Sequence, residues 1–243
     1  MPNGVGAKKS TTPPVQTQNQ PPPAQTKLEE VFVLRAVIFA NGQYNTSYTP
    51  QAGDLVIAAD GGARHCLMNG IRPAAVIGDL DSLESSELDA LEGGGAQVFT
   101  YPSRKNHTDL ELALEYALKF QPQEVLILAG LGGRWDQAIA NILLAATSHA
   151  PRIRLVDGPQ EFYFLHGGGK LEIQGRRDEI VSLIPLGGDA HGIVTEGLEY
   201  PLKEESLLFG STRGISNVML GDKATITLAE GFLLCTIIHS NSI

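Results

Sequence analysis

Apolar positions between residues 31 and 157 follow two alternating patterns. Short apolar runs, typical of buried strands, alternate with longer stretches in which apolar residues recur at helical spacing. The runs lie at 31–39, 55–59, 74–77, 97–99, 124–129 and 153–156, and the helical stretches lie at 62–69, 84–92, 109–120 and 135–149. Strands that alternate with helices predict crossover units and a mainly parallel sheet covered on both faces. We therefore expect an α/β domain over about residues 31–157.

The pattern changes after Gly158, where the helical period disappears. Short apolar runs follow one another at 161–165, 170–174, 179–184, 205–209 and 223–238, and glycine-rich stretches separate most of them. Regular short strands with glycine punctuation are typical of an antiparallel β unit. The sequence thus predicts a smaller all-β domain over residues 158–243.

Composition changes this picture at the N-terminus. Residues 1–30 contain six prolines and four glutamines but no aromatic residue. Such a segment buries too little apolar surface to offset the entropy of ordering, so we expect a disordered extension there. No run approaches the roughly 18 apolar residues of a membrane span, and no apolar segment follows Lys8 and Lys9 as in a secretory signal. We therefore expect a cytoplasmic protein without a membrane partner.

The charge balance narrows the class of partner. The formal net charge is −9 at pH 7. A nucleic-acid surface needs a basic patch that displaces counterions from phosphates, so we expect no nucleic-acid partner. Nucleotides are not excluded, because a bound divalent cation can bring a triphosphate to an acidic site.

Acidic residues follow four of the predicted strands in the α/β region. They are Asp60, Asp79, Asp81, Asp109 and Asp136. In an open parallel sheet, ligands bind outside the carboxyl ends of the strands. Because these ends meet at one edge of the sheet, the sequence predicts an acidic edge that is a candidate ligand site.

The pair Asp79 and Asp81 gives the clearest chemical signal. Two carboxylates two residues apart in an extended segment face the same side, where like charges repel. A hard cation relieves this repulsion, and Mg²⁺ typically binds through one or two carboxylates while water and phosphate oxygens complete its shell. The pair therefore predicts magnesium binding, whereas the neighbouring Ser82 is interpreted as a local cap.

The neighbouring motifs have both structural and functional interpretations. Asp60 and Gly61 fit a turn, and Thr108 with Glu111 fits a capping box at a helix N-terminus. The glycines before Arg134 either let a strand turn tightly into a helix or offer free backbone N–H groups to an anion. The pattern contains neither a Walker loop nor a dinucleotide-binding fingerprint.

In their order along the chain, these segments resemble the motifs of the thiamin pyrophosphokinase family. The resemblance rests on residues 59–62, 78–82, 107–109, 132–136, 195–202 and 214–217, and it covers roughly residues 35–238. Each motif alone is weak, but the ordered set is specific. The resemblance implies a Rossmann-like, mainly parallel α/β domain that binds ATP, followed by a smaller, sandwich-like β domain that binds thiamin.

The same resemblance implies a reaction and a set of site residues. The family transfers pyrophosphate from ATP to thiamin, giving thiamin diphosphate and AMP, and it works as a homodimer with its active site at the interface. Asp79, Asp81 and Asp109 would hold Mg²⁺ on the ATP phosphates, with Asp60 beside them as a fourth catalytic residue. The implied ATP-binding residues are Lys105, Thr108, Arg134, Asp136 and Gln137, and the implied thiamin-binding residues are Ser216 and Asn217.

Two other functions remain open from the sequence. One is a pyrophosphokinase that acts on another acceptor, such as a pterin alcohol, and the other is a non-catalytic protein that binds nucleotide or thiamin. The only tryptophan, Trp135, stands in the nucleotide motif, so an aromatic residue that stacks on thiamin has two candidates by position, Tyr200 and Phe209. The motifs around Tyr200 and Ser216 favour thiamin, and the complete set of acids favours an enzyme.

Overall fold

The computed structural model describes residues 35–103, 106–148, 150 and 152–240. The predicted extension over residues 1–30 lies outside them. In the α/β region the described elements are β1 (Arg35–Phe39), β2 (Asp54–Ala59), α1 (Gly62–Met68), β3 (Ala75–Gly78), α2 (Ser85–Gly93), β4 (Gln97–Thr100), α3 (Asp109–Leu118), β5 (Glu124–Leu128), α4 (Trp135–Thr147) and β6 (Ile153–Asp157). Each strand and helix predicted for this region forms within the described residues, with most ends within a few residues of the prediction, whereas positions 31–34 and 149 of the predicted elements lie outside the described residues.

The six strands of this region pair in parallel, in the order β4-β3-β2-β1-β5-β6. The order reverses at β1, which has β2 on one side and β5 on the other. The carboxyl ends of these strands therefore meet at one edge of the sheet, beside a topological switch point of the kind that binds ligands in α/β proteins. The predicted mainly parallel α/β architecture is confirmed.

Helices cover both faces of the parallel strands. Helix α3 packs on one face through its broad apolar stripe, which includes Leu110, Ala113 and Leu114, and α4 joins it there through Ala138 and Ala145. Helices α1 and α2 pack on the opposite face. Among the described residues, no helix combines the length and the hydropathy that a membrane crossing would require.

The remaining strands form the predicted all-β region. They are β7 (Gln160–His166), β8 (Lys170–Gln174), β9 (Ile180–Pro185), β10 (Ala190–Glu196), β11 (Lys203–Leu207), β12 (Asn217–Val218), β13 (Lys223–Thr227) and β14 (Phe232–Ile238). Four of them continue the parallel sheet as antiparallel strands, in the order β6-β7-β14-β9-β12, and the other four form a second sheet in the order β11-β10-β13-β8. A buried cluster that includes Leu183, Ile193, Ile226 and Cys235 packs the two sheets together. The β region is therefore a two-layer sandwich.

Four strands of the sandwich differ from the sequence pattern. The run 223–238 forms two strands in different sheets, because the chain turns at Gly231, where φ is 96° and an added Cβ would lie 2.5 Å from the Asp189 carbonyl oxygen. The pattern does not predict β10, which lacks a continuous apolar run and whose Gly192 has a φ of 63°. Nor does it predict β12, since two residues are too few for a periodicity.

The predicted boundary between residues 157 and 158 falls in the turn that joins β6 to β7. The two strands are antiparallel neighbours, and their pairing extends to Asp157 and Gln160 at the turn itself. The ten-stranded sheet is therefore continuous across this point. A division into two domains at this turn stays a prediction.

One face of the antiparallel strands is not part of a buried cluster of the described residues. On β14, Cys235 points into the sandwich, and the alternation of side chains directs every second position to the opposite face. That face carries the half-buried Phe232, Ile180 and Ile184 and the buried Leu234, and we call these four residues the open face because, among the described residues, no second sheet or helix is assigned to it. It lies on the side of the sheet that α3 and α4 occupy farther along.

Candidate active site

Backbone strain marks the carboxyl edge of the parallel strands. Asp60 directly follows β2, Leu80 follows β3 by one residue, and Ala129 directly follows β5. Their φ angles are 46°, 59° and 52°. A non-glycine residue held in this left-handed region costs about 1–3 kcal/mol, and such residues cluster at active sites and ligand clamps. The strain therefore points to the same edge as the acidic motifs.

Three of the predicted acids meet at this edge. Carboxylate oxygens of Asp60, Asp79 and Asp109 lie within 4.8 Å of one another. Asp60 is buried, with 8% of its surface exposed, and the other two are half-buried. Gly78 makes the approach sterically feasible, since an added Cβ would lie 3.0 Å from Asp60 Cβ and 3.2 Å from Asp109 Oδ1. Three converging oxygen donors with like charge fit a hard divalent cation.

Asp81 does not join this group. It is exposed, and its carboxylate is not among those that converge. The expectation that Asp79 and Asp81 face the same side assumes an extended segment, and the left-handed Leu80 between them breaks that geometry. Asp60, predicted to lie beside the metal ligands, is instead a member of the cluster. The role of Asp81 as a ligand stays a prediction.

Two residues to which the sequence analysis gave no role in the site hold Asp60 in place. Asn41 Nδ2 donates to Asp60 Oδ2 at 3.1 Å, and Ser82 Oγ donates to Asp60 Oδ1 at 2.9 Å. Asn41 follows β1, so the strand-end rule would have found it had it been applied to the first strand. The interpretation of Ser82 as a local cap is wrong, because the N-cap of α2 is Glu84 and the Ser82 hydroxyl binds the acidic cluster.

The glycine-rich segment after β5 leads into α4 through two left-handed glycines. Gly132 and Gly133 have φ angles of 79° and 69°. Arg134 is the N-cap residue of α4, and its Nε donates to Asp136 Oδ1 at 3.1 Å. This hydrogen bond lowers the pKa of Asp136, so the pair is charged. Both side chains and that of Gln137 are exposed, which leaves them accessible to a ligand at this edge.

The predicted nucleotide-binding residues before α3 divide into a described and an undescribed part. Thr108 is the N-cap of α3, and its Oγ1 accepts a hydrogen bond from the Glu111 N–H at 3.2 Å, as the capping motif predicts. Lys105 lies outside the described residues, so its place relative to the acids stays a prediction.

The predicted thiamin-binding residues lie at β12. Ser216 is left-handed, with a φ of 60°, and its N–H donates to Ser182 Oγ at 3.0 Å. The Asn217 side chain forms two hydrogen bonds with the backbone of Tyr200. Its Oδ1 accepts from the Tyr200 N–H at 3.0 Å, and its Nδ2 donates to the Tyr200 carbonyl at 2.8 Å. Asn217 therefore fixes a loop whose aromatic ring is 63% exposed. Phe209 is exposed to the same extent.

The two groups of predicted site residues lie at the same edge of the ten-stranded sheet but far apart along it. Asp60 follows β2, whereas Asn217 begins β12, the outermost strand on the other side. Seven strand spacings of about 4.8 Å separate them, a distance on the order of 30 Å. The acids and the β12 residues therefore form two separate half-sites within one chain.

Comparison with protein-family models gives two matches. The catalytic domain of thiamin pyrophosphokinase matches residues 48–156, and the vitamin B1 binding domain of thiamin pyrophosphokinase matches residues 170–233. The first match contains the acidic cluster, and the second contains Tyr200, Ser216 and Asn217.

Individual relatives agree with these models. Thiamine pyrophosphokinase of Bacillus subtilis (strain 168) is 34% identical over 194 residues, which are 78% of this chain and 89% of that protein. Thiamine pyrophosphokinase 1 of Oryza sativa subsp. japonica is 25% identical, over 92% of this chain and 93% of the relative.

Solved structures share the fold. The crystal structure of the Bacillus subtilis thiamine pyrophosphokinase matches with a TM-score of 0.77 and 29% identity, over 85% of this chain and 99% of that one. The thiamin pyrophosphokinase from Candida albicans matches with a TM-score of 0.70 over 91% of this chain and 97% of that one. At 14% identity, the latter match bears on the fold alone.

Proposed function

The chain belongs to the thiamin pyrophosphokinase family, and on that premise we propose that it transfers pyrophosphate from ATP to thiamin in a reaction that requires Mg²⁺. The products are thiamin diphosphate and AMP. The observation that carries the proposal is the convergence of Asp60, Asp79 and Asp109 within 4.8 Å at the carboxyl edge of a parallel sheet.

The acidic cluster suits the donor substrate. Asp60, Asp79 and Asp109 would hold Mg²⁺, with Asp81 close by in sequence to bind the ion or to accept hydrogen bonds from its water ligands. A bound Mg²⁺ supplies charge neutralisation on the phosphates of ATP. The exposed Arg134, together with Asp136, Gln137, Thr108 and Lys105, would bind the rest of the nucleotide.

Catalysis then rests on positioning and on charge, as is general for phosphoryl-group transfer. The hydroxyl oxygen of thiamin attacks the β-phosphorus of ATP in line. The bond from that phosphorus to the oxygen shared with the α-phosphate breaks, and AMP leaves with this oxygen. Asp109 orients the attacking hydroxyl, whose proton passes to solvent, and Arg134 or Lys105 neutralises the charge that develops.

On the acceptor side, Tyr200 supplies the aromatic surface for thiamin. Its ring is exposed while its backbone is held by Asn217, so the platform is oriented before the substrate arrives. Ser216, next to Asn217, adds a hydroxyl, whereas Phe209 is the second aromatic candidate. In this account Asn217 acts by positioning Tyr200 more than by direct contact with thiamin.

The distance between the half-sites supports a homodimer whose active site lies at the interface. The reacting oxygen and phosphorus must approach to about 3–3.5 Å, and thiamin is too short to bridge a gap on the order of 30 Å. A second copy brings its own β12 to the acidic edge of the first. The open face supports the same proposal, since an apolar sheet face that is only partly covered within one chain is typical of a homodimer interface.

A direct assay tests the proposal. Purified protein is incubated with ATP, Mg²⁺ and thiamin, and AMP and thiamin diphosphate are measured together. We expect equal amounts of both, dependent on Mg²⁺ and on thiamin. ADP in place of AMP would contradict attack at the β-phosphorus. Product with a pterin alcohol but not with thiamin would favour the other acceptor, and binding without AMP release would indicate a non-catalytic protein. The cytoplasmic location stays a prediction from the sequence.

A further inference from the structure

Arg64 is the one arginine of α1, the helix that begins directly after Asp60 and Gly61. Its guanidinium leaves the helix in the direction of the acidic edge. Arg64 Nε lies 2.9 Å from Glu87 Oε1, and Nη2 donates both to Glu87 Oε2 at 3.1 Å and to the backbone carbonyl of Ser82. None of the sequence motifs singles out this residue.

The contacts of Arg64 close a ring at Ser82, the last residue of the segment 79–82. From Asp60 the chain runs through α1 to Arg64, from Arg64 to the Ser82 carbonyl, and from the Ser82 hydroxyl back to Asp60 Oδ1 at 2.9 Å. Glu87 extends this ring to α2, because its Oε2 also accepts the Glu84 N–H at 2.8 Å. The hydrogen bond from Arg64 lowers the pKa of Glu87, which keeps the partner of Arg64 charged.

The segment that ends at this ring needs support. It runs from Asp79 to Ser82 and contains the left-handed Leu80, with a φ of 59°. A residue in a strained conformation persists only where its surroundings fix it. Strand β3 fixes the start of the segment, and two side chains fix its end: Asp60 binds the Ser82 hydroxyl, and Arg64 binds the Ser82 carbonyl.

We propose that Arg64 is a positioning residue that sets the affinity of the acidic cluster for its divalent cation by fixing residues 79–82. This inference rests on the proposed function, because it assumes that Asp60, Asp79 and Asp109 bind a cation. It differs from a role in global stability, since the Arg64 side chain is 43% exposed and exposed ion pairs contribute little to stability.

Metal binding in the absence of substrates tests the proposal directly. Mn²⁺ alone is titrated into the protein, and free Mn²⁺ is followed by electron paramagnetic resonance. We expect Arg64→Ala to raise the Mn²⁺ dissociation constant roughly 10-fold, the range seen when residues that orient metal ligands are changed. Arg64→Lys should recover only part of the affinity, because an ammonium cannot contact the Ser82 carbonyl and both Glu87 oxygens in the same planar geometry.

Arg72→Ala is the matched control, since Arg72 is an exposed arginine in the loop that follows α1. Its Mn²⁺ affinity should equal that of the wild type. Hydrogen exchange adds a readout without metal: the Leu83 N–H donates to the Leu80 carbonyl at 3.1 Å, and its exchange should accelerate in Arg64→Ala but not in Arg72→Ala.

The outcomes separate the two claims. Wild-type Mn²⁺ affinity and unchanged Leu83 exchange in a folded Arg64→Ala protein would overturn the positioning role while leaving the metal site intact. Failure of the wild type itself to bind Mn²⁺ would contradict the metal site of the proposed function, and the role of Arg64 with it.

Discussion

The parallel and antiparallel halves of the ten-stranded sheet differ in how completely one chain encloses them. Helices cover the parallel half on both faces, and the acids at its edge are held by contacts within the same chain. The antiparallel half has a second sheet on one face and the open face on the other. One chain therefore encloses the parallel half together with its acidic edge, whereas the residues around β12, the proposed acceptor half of the site, lie on the antiparallel half.

The two half-sites also differ in what fixes their functional groups. Side chains hold the donor half, where Asn41 and Ser82 each bind one oxygen of Asp60. In the acceptor half, a side chain holds the backbone instead, because Asn217 binds the N–H and the carbonyl of Tyr200. We infer that changes in the donor half act on turnover, and that changes in the acceptor half act on thiamin affinity and on assembly.

The largest effect should come from the donor half. Asp79→Asn removes one charge from the converging cluster, and we expect turnover to fall by about two orders of magnitude or more. Asp81→Asn should cost less, because Asp81 is exposed and lies outside the cluster. Rates of AMP and thiamin diphosphate formation at saturating Mg²⁺ measure both variants. If both proteins are folded and lose turnover equally, Asp81 contributes to catalysis as much as Asp79 does.

Assembly should respond to a charge on the open face. Ile184→Glu places a carboxylate where an apolar interface is expected, and the dimer dissociation constant should rise by roughly two orders of magnitude, since an unpaired buried charge is costly. Met68→Glu on α1 is the control, because Met68 is 83% exposed and lies on the parallel half. Sedimentation across a range of concentrations distinguishes them. A dimer unaffected by Ile184→Glu would place the interface elsewhere.

Stability of the parallel half should depend on Asp54 at the opposite edge of the sheet. Burial raises the pKa of this carboxyl, but hydrogen bonds from Arg35, Tyr48 and the Gln51 N–H outweigh it and hold the pKa below 3.8. Asp54→Asn should lower the free energy of unfolding by about 2 kcal/mol near pH 6. Chemical denaturation measures this difference.

The lowered pKa of Asp54 also predicts how the stability difference between the wild type and Asp54→Asn changes with pH. Because the folded pKa is lowered, the stabilisation by Asp54 is fully present above the unfolded value near 3.8 and is lost as pH falls through the lower folded value. The gap between wild type and Asp54→Asn should therefore narrow as the medium becomes more acidic than about pH 4. A stability difference that increases as the pH falls would contradict a lowered pKa of Asp54 in the folded state.

The smallest expected effect lies in the acceptor half. Tyr200→Ala removes the exposed ring, and the Michaelis constant for thiamin should rise roughly 10-fold, the scale of an aromatic contact, while that for ATP is unchanged. Tyr200→Phe keeps the ring and should remain close to wild type. Steady-state kinetics with each substrate varied in turn gives both constants. A larger effect in Phe209→Ala would make Phe209 the stacking residue.

Local sequence patterns predict the elements of the parallel half because each strand and helix there has its own period. Asp60, Asp79 and Asp109 follow from the same logic, since each lies at the carboxyl edge of the sheet. Asp81 shows the limit of that logic: Leu80, between Asp79 and Asp81, is left-handed, and a spacing of two residues does not reveal this backbone conformation.

The arrangement of the antiparallel half cannot be predicted from local patterns for a related reason. Whether Leu234 faces the sandwich or the open face depends on strand pairing, and the run 223–238 contains residues of both sheets. The separation of the half-sites depends on the order of ten strands. Such long-range pairings are set by tertiary structure, so only the resemblance to a family suggested an interface site at the sequence level.

The central claim is a composite site, in which the acids of one copy and the β12 region of a second copy form one active site. Complementation between two defective variants tests this claim most directly. Asp79→Asn disables the donor half, and the double variant Tyr200→Ala/Ser216→Ala disables the acceptor half when thiamin is kept low. The two chains are co-expressed with different tags and compared with each variant alone. If the site forms between copies, half of the dimers are mixed and each has one intact site, so activity should return to about a quarter of the wild type. If one chain completes its own site, the mixture will stay as inactive as its parents, and the composite site will be ruled out.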